Sequence, residues 1–439
     1  MAKGDSKDVW AGKSGGLVRL WLGPLALLAL CPCAVHYARV CMEDNGGALL
    51  WPPSAAFPGR SAWRPDGASC AFLVALLALQ TALLRVLPGE RFCGPVSPCN
   101  VTPEYRDNGF LSIFCTLGVL GAACALYPRG AAHGAGFIHE HLGPLVSTLS
   151  GSALVASVAL YAKGRLSPSG PDHGSSGSLV LDIYWGTELY PRVRGVDLKQ
   201  LLICRFGMVL WLLFVLSFCA KTLTLAGGRL PLSQAVSSAL LVGYLLKFFW
   251  WERYYLCAAD IAVDRFGYML CWGTAAFMPL VHSLQNLFLV THHVEMSWPA
   301  ALALLALGNA MTWLNYDADT QRHRVRAADG KCDVWGRPAR VIRAEYTTID
   351  GKRHRALLSV CGYQAIARHF HYVPDIVNLV CYAAPTGFTH LLPFSYAIYL
   401  TALLVDRTYR IDERCATKYG KFWDQYCAEV PWRLVPGLF

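Results

Sequence analysis

Long apolar runs recur along the whole chain, and each is long enough to cross a lipid bilayer. A crossing takes about 20 helical residues, because a spanning segment must satisfy its backbone hydrogen bonds internally. Hydrophobic residues make up 54% of the 439 residues and charged residues only 15%, against about 25% in average globular proteins. The chain is therefore expected to be a polytopic membrane protein. A disordered, collagen-like or disulfide-framework protein is excluded.

Eight spans can be placed directly, and a ninth apolar stretch is too long for one helix. The eight are Leu17–His36, Cys70–Leu87, Phe110–Tyr127, Leu142–Ala162, Phe206–Leu225, Leu232–Trp250, Phe266–Thr291 and Trp298–Tyr316. The ninth stretch, from Ile376 to Val405, is interrupted by Ala-Pro-Thr-Gly at residues 384–387, which predicts a hairpin of two short spans. The predicted fold is all-α, a membrane helical bundle with about ten transmembrane helices.

Basic loops set the predicted orientation, since cytosolic loops carry the excess of Lys and Arg. With residues 1–16 in the cytosol, the basic loop 163–205, Arg253 and Arg265, and the basic stretch 317–374 all fall on the cytosolic side. Both termini are then cytosolic. The net charge of +10 reports this topology and predicts no nucleic-acid partner. The first apolar run ends without a small-residue cleavage site, so we expect a retained signal anchor.

Common nucleotide and metal motifs are missing from the sequence. It contains no GxGxxG turn, no GxxxxGK[ST] loop and no CxxC. Several of the 17 cysteines lie within apolar runs, where they behave as small hydrophobic residues. The cluster His139-Glu140-His141 has metal-like composition but no third ligand nearby, so no metal site is expected. A bound nucleotide would be held by side chains.

Two arginines one helical turn apart, Arg322 and Arg326, follow the eighth span and share a face. Paired guanidinium groups at this spacing suit a phosphate. They also suit lipid headgroups, so a membrane-anchoring role remains open.

Polar residues of both signs converge before and after the predicted hairpin. Residues 368–375 (Arg-His-Phe-His-Tyr-Val-Pro-Asp) precede it, and Asp412, Lys418, Tyr419 and Tyr426 follow it. The two tyrosines are spaced by seven residues and share a helical face. These groups suggest a ligand with charged and aromatic parts. The alternative is a solvated amphipathic tail.

His282 lies inside an apolar run and is followed by Gln285 and Asn286. Polar residues within a membrane are costly and are functional candidates. A structural hydrogen bond between helices is the alternative for each of them.

From about Glu188 to Phe439 the sequence resembles the sterol reductases of the endoplasmic reticulum, the family of the delta-14 reductases and the lamin B receptor membrane domain. The matching stretches begin at residues 187–192, 197–199, 204–208, 260–265, 270–273 and 315–317, and continue at 330–337, 367–374, 418–420 and 430–433. The insertion Trp335-Gly336-Arg337 and Phe370 favour delta-7 over delta-14 members of the family.

The resemblance implies a helical membrane protein with a cytosolic C-terminal region that binds NADPH. Arg322 and Arg326 match basic residues near the cofactor phosphates, and His371 and Tyr372 match a pair lining the cofactor. Arg407 matches an arginine of the tail. Cys415, Ala416, Thr417, Lys418 and Tyr419, followed by Tyr426, match the adenosine-side segment.

Three positions depart from the family pattern. Gln364 stands where relatives usually have tryptophan, which puts ring stacking there in doubt. Ile411 replaces an acid, leaving Asp412 one place late. His282 replaces a tyrosine facing the sterol pocket, a proposed proton source. We therefore take His282 and Asp412 as the candidate catalytic acids.

The resemblance implies NADPH-dependent reduction of the delta-7 bond of a 5,7-diene sterol taken from the bilayer, with delta-14 reduction as the alternative. The predicted divisions are a leader (1–16), N-terminal helices with a loop (17–205), sterol-pocket helices (206–316) and the NADPH region (317–439). The expected location is the endoplasmic reticulum membrane, where other sterol-biosynthesis enzymes are possible partners.

Two other classes of function remain open at this stage. Isoprenylcysteine-type methyltransferases have a related C-terminal signature and bind S-adenosylmethionine, but they need no basic pair for a 2′-phosphate. A non-catalytic sterol-binding or scaffold protein is the second class, and the changes at Gln364 and Ile411 keep it open.

Overall fold

The computed structural model describes residues 16–56, 63–126 and 135–439, which form two compact units. The first unit comprises residues 1–295 with 386–393, and the second comprises 296–385 with 394–439. The predicted leader, apart from Gly16, lies outside the described residues. The four divisions predicted by role stay predictions, and one helix, Trp298–Ala327, runs through the expected boundary at residue 316 without interruption.

Helices dominate the first unit because its apolar runs are long enough to satisfy their own backbone. They are Gly23–Asp44 (preceded by a π-turn, Val18–Leu22), Gly67–Val86, Gly109–Leu126, Leu142–Leu166, Leu179–Trp185, Met208–Leu225 (preceded by a π-segment, Gln200–Gly207), Leu232–Trp250, Glu252–Tyr255 and Ala259–Ala262, with a 3₁₀ turn at Pro53–Ala56. Five helices of the described chain have the length and apolar character of membrane spans: Val18–Asp44, Gly67–Val86, Leu142–Leu166, Gln200–Leu225 and Leu232–Trp250. Each overlaps a predicted span. The total of about ten stays a prediction.

The segment predicted as one span, Phe266–Thr291, is a broken helix. It consists of Tyr268–Trp272, a π-turn at Gly273–Phe277, Met278–Val281 and Leu284–Thr291. Pro279 supplies no backbone N–H to the helix, and the Ser283 hydroxyl donates to the Pro279 carbonyl oxygen at 2.7 Å. The break therefore falls at His282 and Ser283, where the Gln285 side chain donates to the His282 carbonyl oxygen at 2.8 Å. Uniform hydropathy hid this interruption.

A fully buried ion pair, Arg205 with Glu252, joins the π-segment to the end of the Leu232–Trp250 helix. Arg205 also donates to the Asn108 side chain at 2.8 Å. Removing one member would leave the other charge buried without compensation, which is strongly destabilising. The pair thus fixes how these helices pack.

A close backbone contact joins the Gly186 turn to Gly267. Gly186 has φ 98°, and a Cβ atom there would lie 2.5 Å from the Phe266 carbonyl carbon. A Cβ on Gly267 would lie 2.3 Å from the Gly186 nitrogen. Only glycine fits this contact, which positions the Thr187-Glu188 loop against the helices.

The second unit is built around three longer helices, Trp298–Ala327, Tyr372–Ala383 and Ser395–Tyr419. Its shorter helices are Tyr363–Ile366, Ala384–Thr386 and Lys421–Glu429, and a 3₁₀ turn, Leu392–Phe394, precedes Ser395. The break after Ala383 confirms that the late apolar stretch is two helices with an interruption at Pro385.

Four antiparallel hairpins depart from the all-α prediction, although the chain is mostly helical. They pair Glu90–Cys93 with Glu104–Asp107, Arg192–Val193 with Val196–Asp197, Asp333–Val334 with Arg337–Pro338, and Val341–Thr347 with Arg353–Ser359. In the last hairpin the side chains alternate, so Ile342, Ala344 and Leu358 face a core shared with Trp423 and Tyr426. This hairpin lies beside the candidate site.

Candidate functional site

Arg322 and Arg326 lie on the polar end of the Trp298–Ala327 helix. Arg322 is half-buried and donates to the Asp319 carboxylate at 2.8 Å, whereas Arg326 is exposed. The Nε–H of Arg322 is buried and donates to no group in the part of the chain that the structure describes. A buried donor without an acceptor is costly, so this N–H is suited to an anionic ligand.

Arg326 is close enough to Cys415, Tyr419 and Tyr426 to affect their protonation. Burial raises the pKa of Cys415 to about 11 and that of Tyr419 and Tyr426 to about 12. The charge of Arg326 acts on each of these pKa values in the opposite direction. The structure therefore brings together four residues that the sequence placed in one site.

Lys418 extends this positive cluster. Burial, with the charges of Arg414 and Arg326, lowers the pKa of Lys418 to about 8. Its ammonium lies 3.9 Å from the ring centroid of Tyr346, which stacks on His354 across the hairpin at 5.3 Å. Three cations beside two aromatic rings can bind a phosphate attached to a planar base.

His371 and Tyr372 begin the next helix of the second unit. Asn315 donates to the His371 carbonyl oxygen at 2.9 Å, and the His371 and Tyr372 rings are 4.3 Å apart. Tyr372 is buried and lies parallel to the His369 ring, 5.4 Å away at 7°. The two predicted residues are thus held next to the arginine-bearing helix.

Asp412 joins three basic residues. Its carboxylate accepts from Arg368 at 3.0 Å and from Arg433 at 2.7 Å, and its second oxygen lies 3.9 Å from His369 Nε2. Burial raises the pKa of Asp412, but the interactions with His369, Arg433 and Arg368 outweigh burial and bring it to about 2. Such a carboxylate holds no proton near neutral pH. Its geometry suits positioning His369 and Tyr372 better than proton donation.

Three predicted cofactor residues are less well placed. Ala416 and Thr417 are exposed, and the Thr417 hydroxyl donates to Glu413 O on its own helix at 2.9 Å. Arg407 is half-buried eight residues before Cys415, about 12 Å from it along the helix axis. Their roles stay predictions from the resemblance.

The other candidate acid, His282, belongs to the first unit and lies at the break in the Tyr268–Thr291 segment. It is 9% exposed, and its ring packs edge-on against Trp211 at 5.0 Å. Asn286, one turn later, bonds to Ser237 and Ser238 of the Leu232–Trp250 helix at 3.1 and 3.0 Å. Interrupted backbone at membrane depth is tolerated where protein or a cavity surrounds it, so His282 occupies a suitable place for a reacting group.

Two departures from the family pattern can be placed. Gln364 is buried and donates to the Ala318 carbonyl oxygen at 3.3 Å, so it packs against the arginine-bearing helix. Ile411 is half-buried next to Asp412. The histidines of the 139–141 cluster do not converge, because His141 bonds to Asp66 at 2.7 Å while His139 packs on Phe218.

Sequence reasoning missed Tyr346, Arg414 and Arg433. The hairpin that carries Tyr346 could have been found from its alternating residues and the Asp350-Gly351 turn. Arg414 stands one turn before Lys418, a spacing that places both on one helical face. Arg433 carries no local signal, because its partner Asp412 is brought to it only by folding.

The comparisons with known proteins agree with this architecture. Residues 49–439 match the profile described as the ergosterol biosynthesis ERG4/ERG24 family. The chain is 37% identical to a 7-dehydrocholesterol reductase of Arabidopsis thaliana over 94% of its own length and 96% of the relative. It is 31% identical to a Delta(14)-sterol reductase of Methylotuvimicrobium alcaliphilum, with 94% of each chain covered. It is 30% identical to the Delta(14)-sterol reductase LBR of Gallus gallus, covering 93% of this chain and 62% of that protein.

Proposed function

Because the chain belongs to the ERG4/ERG24 family of sterol reductases, we propose that it reduces the delta-7 double bond of a 5,7-diene sterol with NADPH. The observation that carries the delta-7 assignment is the similarity to the plant 7-dehydrocholesterol reductase along nearly the whole of both chains. The delta-14 relatives are less similar over the same coverage. Reduction at delta-14 is therefore the second candidate.

The residues of the second unit fit NADPH. Arg326, Arg414 and Lys418 provide three positive charges, and the Arg322 Nε–H is a buried donor in need of an acceptor. Tyr346 and Tyr419, whose rings meet edge-to-face at 5.8 Å, provide aromatic surface beside Lys418. We propose that the cations hold phosphates and that His371 and Tyr372 line the dinucleotide. NADPH, when bound, supplies a hydride.

Reducing a ring alkene also needs a proton on the neighbouring carbon and protection of the cationic intermediate from water. We propose that His282 holds this proton. The aromatic rings of Trp211 and Phe277, at 5.0 and 6.1 Å from the His282 ring, exclude water from its surroundings. Asp412, ionised at neutral pH, positions His369 and does not act as the acid.

The site of action follows from the same proposal. The substrate reaches the protein from the bilayer, as expected of a multi-pass membrane protein in the endoplasmic reticulum. The cation cluster then faces the cytosol, where NADPH is available.

Expression in a host that accumulates 5,7-diene sterols tests the reaction, with the sterols profiled by mass spectrometry. Loss of the ring-B delta-7 bond is expected, and an Arg322→Ala/Arg326→Ala chain expressed to the same level should lose most of the conversion. A parallel host that accumulates delta-14 sterols tests the second candidate. Conversion only in that host would replace the delta-7 assignment.

A further inference from the structure

The first unit contains a cavity of about 470 Å³ that the proposed chemistry does not use. It lies where the Val18–Asp44 and Leu284–Thr291 helices end and the Leu142–Leu166 helix begins. Small-molecule sites have volumes of about 300–1,000 Å³, so the cavity is large enough for a ligand.

One wall of this cavity carries a buried cation with unused hydrogen-bonding capacity. Arg39 is 5% exposed and pairs through one terminal nitrogen with Glu43. Its Nε–H is buried and donates to no group within the described residues. A buried guanidinium N–H without an acceptor is costly and points to a ligand oxygen.

The other lining residues narrow the class of ligand. Glu43, Asp44 and Glu140 place carboxylates on the polar wall, and only Glu140 has a cation other than Arg39 beside it, Lys221 at 3.3 Å. These carboxylates disfavour an anion. A hydroxyl group fits, because its oxygen can accept from Arg39 while its proton is donated to a carboxylate.

The remaining wall is apolar. Met42, Leu142 and Leu287 are each at most 3% exposed, and Pro144 lines the cavity beside them. The ligand that fits is therefore amphipathic, with a hydroxyl at one end and a rigid or flexible hydrocarbon body.

We propose that the cavity binds the hydroxyl-bearing end of the sterol substrate; this rests on the proposed function and specifies how the substrate is oriented. Leu287 follows His282 by five residues, about 7 Å along a helix axis. The hydroxyl of a sterol is on ring A, and ring B, with the delta-7 bond, is fused to ring A. Anchoring the hydroxyl here would therefore bring ring B towards His282.

Binding of a saturated 3-hydroxysterol and its 3-O-methyl ether to the full chain in lipid nanodiscs tests the anchor. The hydroxysterol should bind more tightly to the unmodified protein, since the ether cannot donate a proton. Arg39→Ala and Glu43→Gln should each weaken hydroxysterol binding by about 10- to 100-fold and leave the dissociation constant of NADPH unchanged. Equal binding of the two ligands, unaffected by either variant, would overturn the proposal.

Thr291→Phe provides a test that spares the buried ion pair. Thr291 is exposed at the rim of the cavity, so phenylalanine there should block entry without a core defect. Thr224→Phe, at an exposed threonine away from the cavity, is the matched control and should bind sterol normally. Normal sterol binding by Thr291→Phe would contradict the assignment.

Kinetics separate the substrate from another sterol alcohol with the same chemistry. A saturated 3-hydroxysterol should inhibit diene reduction competitively, and noncompetitive inhibition would show that the cavity is not the substrate's anchor. The proposed reaction can fail independently: hydroxysterol binding that depends on Arg39, in a protein that reduces no diene, would retain the sterol site and refute the reductase function.

Discussion

The Asp412 carboxylate lies 2.7 Å from Arg433 Nε, although 21 residues separate the two in the chain. The same oxygen accepts from Arg368, 44 residues earlier. One carboxylate thus holds the Ser395–Tyr419 helix, the Arg368-His369 loop and the C-terminal segment together. This arrangement explains how an acid displaced by one position can still serve the site, as a positioning residue.

Asp412→Asn should destabilise the protein by about 2 kcal/mol at pH 7, because the pKa of the carboxyl falls from an ordinary 3.8 to about 2 on folding. A lowered carboxyl pKa stabilises the fold fully above about pH 4, and this contribution is lost as the pH falls towards 2. Thermal unfolding of the purified protein at pH 7 and pH 3.5 should therefore show the difference between variant and parent shrinking at low pH.

Asp406→Asn, on the same helix, is the control for this change. Asp406 is exposed and pairs only locally with Arg410, so its loss should cost under about 0.5 kcal/mol. A pH-independent defect in Asp412→Asn would show that the ionised carboxylate is not the stabilising group.

Arg322→Ala and Arg326→Ala should each raise the KM for NADPH, by about 2–4 kcal/mol of lost charge-assisted contact, more than the KM for sterol. Arg324 donates instead to the Asp333 carbonyl oxygen at 2.9 Å, so Arg324→Ala is the matched control. Steady-state kinetics with each substrate varied in turn provide the measurement. Equal effects at all three positions would favour binding of lipid headgroups.

NADPH affinity should decrease between pH 7 and pH 9. The pKa of Lys418 is lowered to about 8, so the ammonium loses its proton across this interval and no longer attracts a phosphate. Lys418→Arg keeps the charge and should bind NADPH with little pH dependence over the same range. Isothermal titration of both proteins at several pH values is the measurement, and identical slopes would exclude Lys418 from the phosphate site.

His282→Phe should lower kcat by about 10²–10⁴-fold with little change in NADPH binding, if the imidazole delivers the proton. His282→Tyr restores a hydroxyl acid at this position and should keep substantial activity. If His282 only joins helices, His282→Phe would reduce yield and thermal stability while the surviving protein turned over normally. Turnover per folded enzyme, measured beside melting temperature, distinguishes the two roles.

Asn100 should remain unglycosylated although Asn100-Val101-Thr102 is an acceptor sequence. The predicted threading places this loop in the cytosol, away from the glycosyltransferase. The sequence also lies in a tight turn, in which Ser97 N–H donates to the Val101 carbonyl oxygen at 2.9 Å. A glycosidase-sensitive mass shift that disappears in Asn100→Gln would require a different topology.

Much of the candidate site could be predicted from local sequence. Arg322 and Arg326 share a helical face by their spacing, and Cys415, Lys418 and Tyr419 share another. Their convergence on one another required folding, because Arg326 and Lys418 are 92 positions apart and no periodicity links them. The contribution of Tyr346 depended likewise on the pairing of two strands with the tail helix.

The sequence by itself determined the membrane character, five of the spans and the family, because hydropathy and ordered motifs are properties of consecutive residues. It did not determine the break at His282, since Pro279, the preceding π-turn and the Ser283 hydroxyl act together within an evenly apolar segment. It also did not determine the ionisation of Asp412, whose pKa depends on partners at positions 368, 369 and 433. Charges and hydrogen bonds act through distances in space, and only the tertiary structure sets those distances.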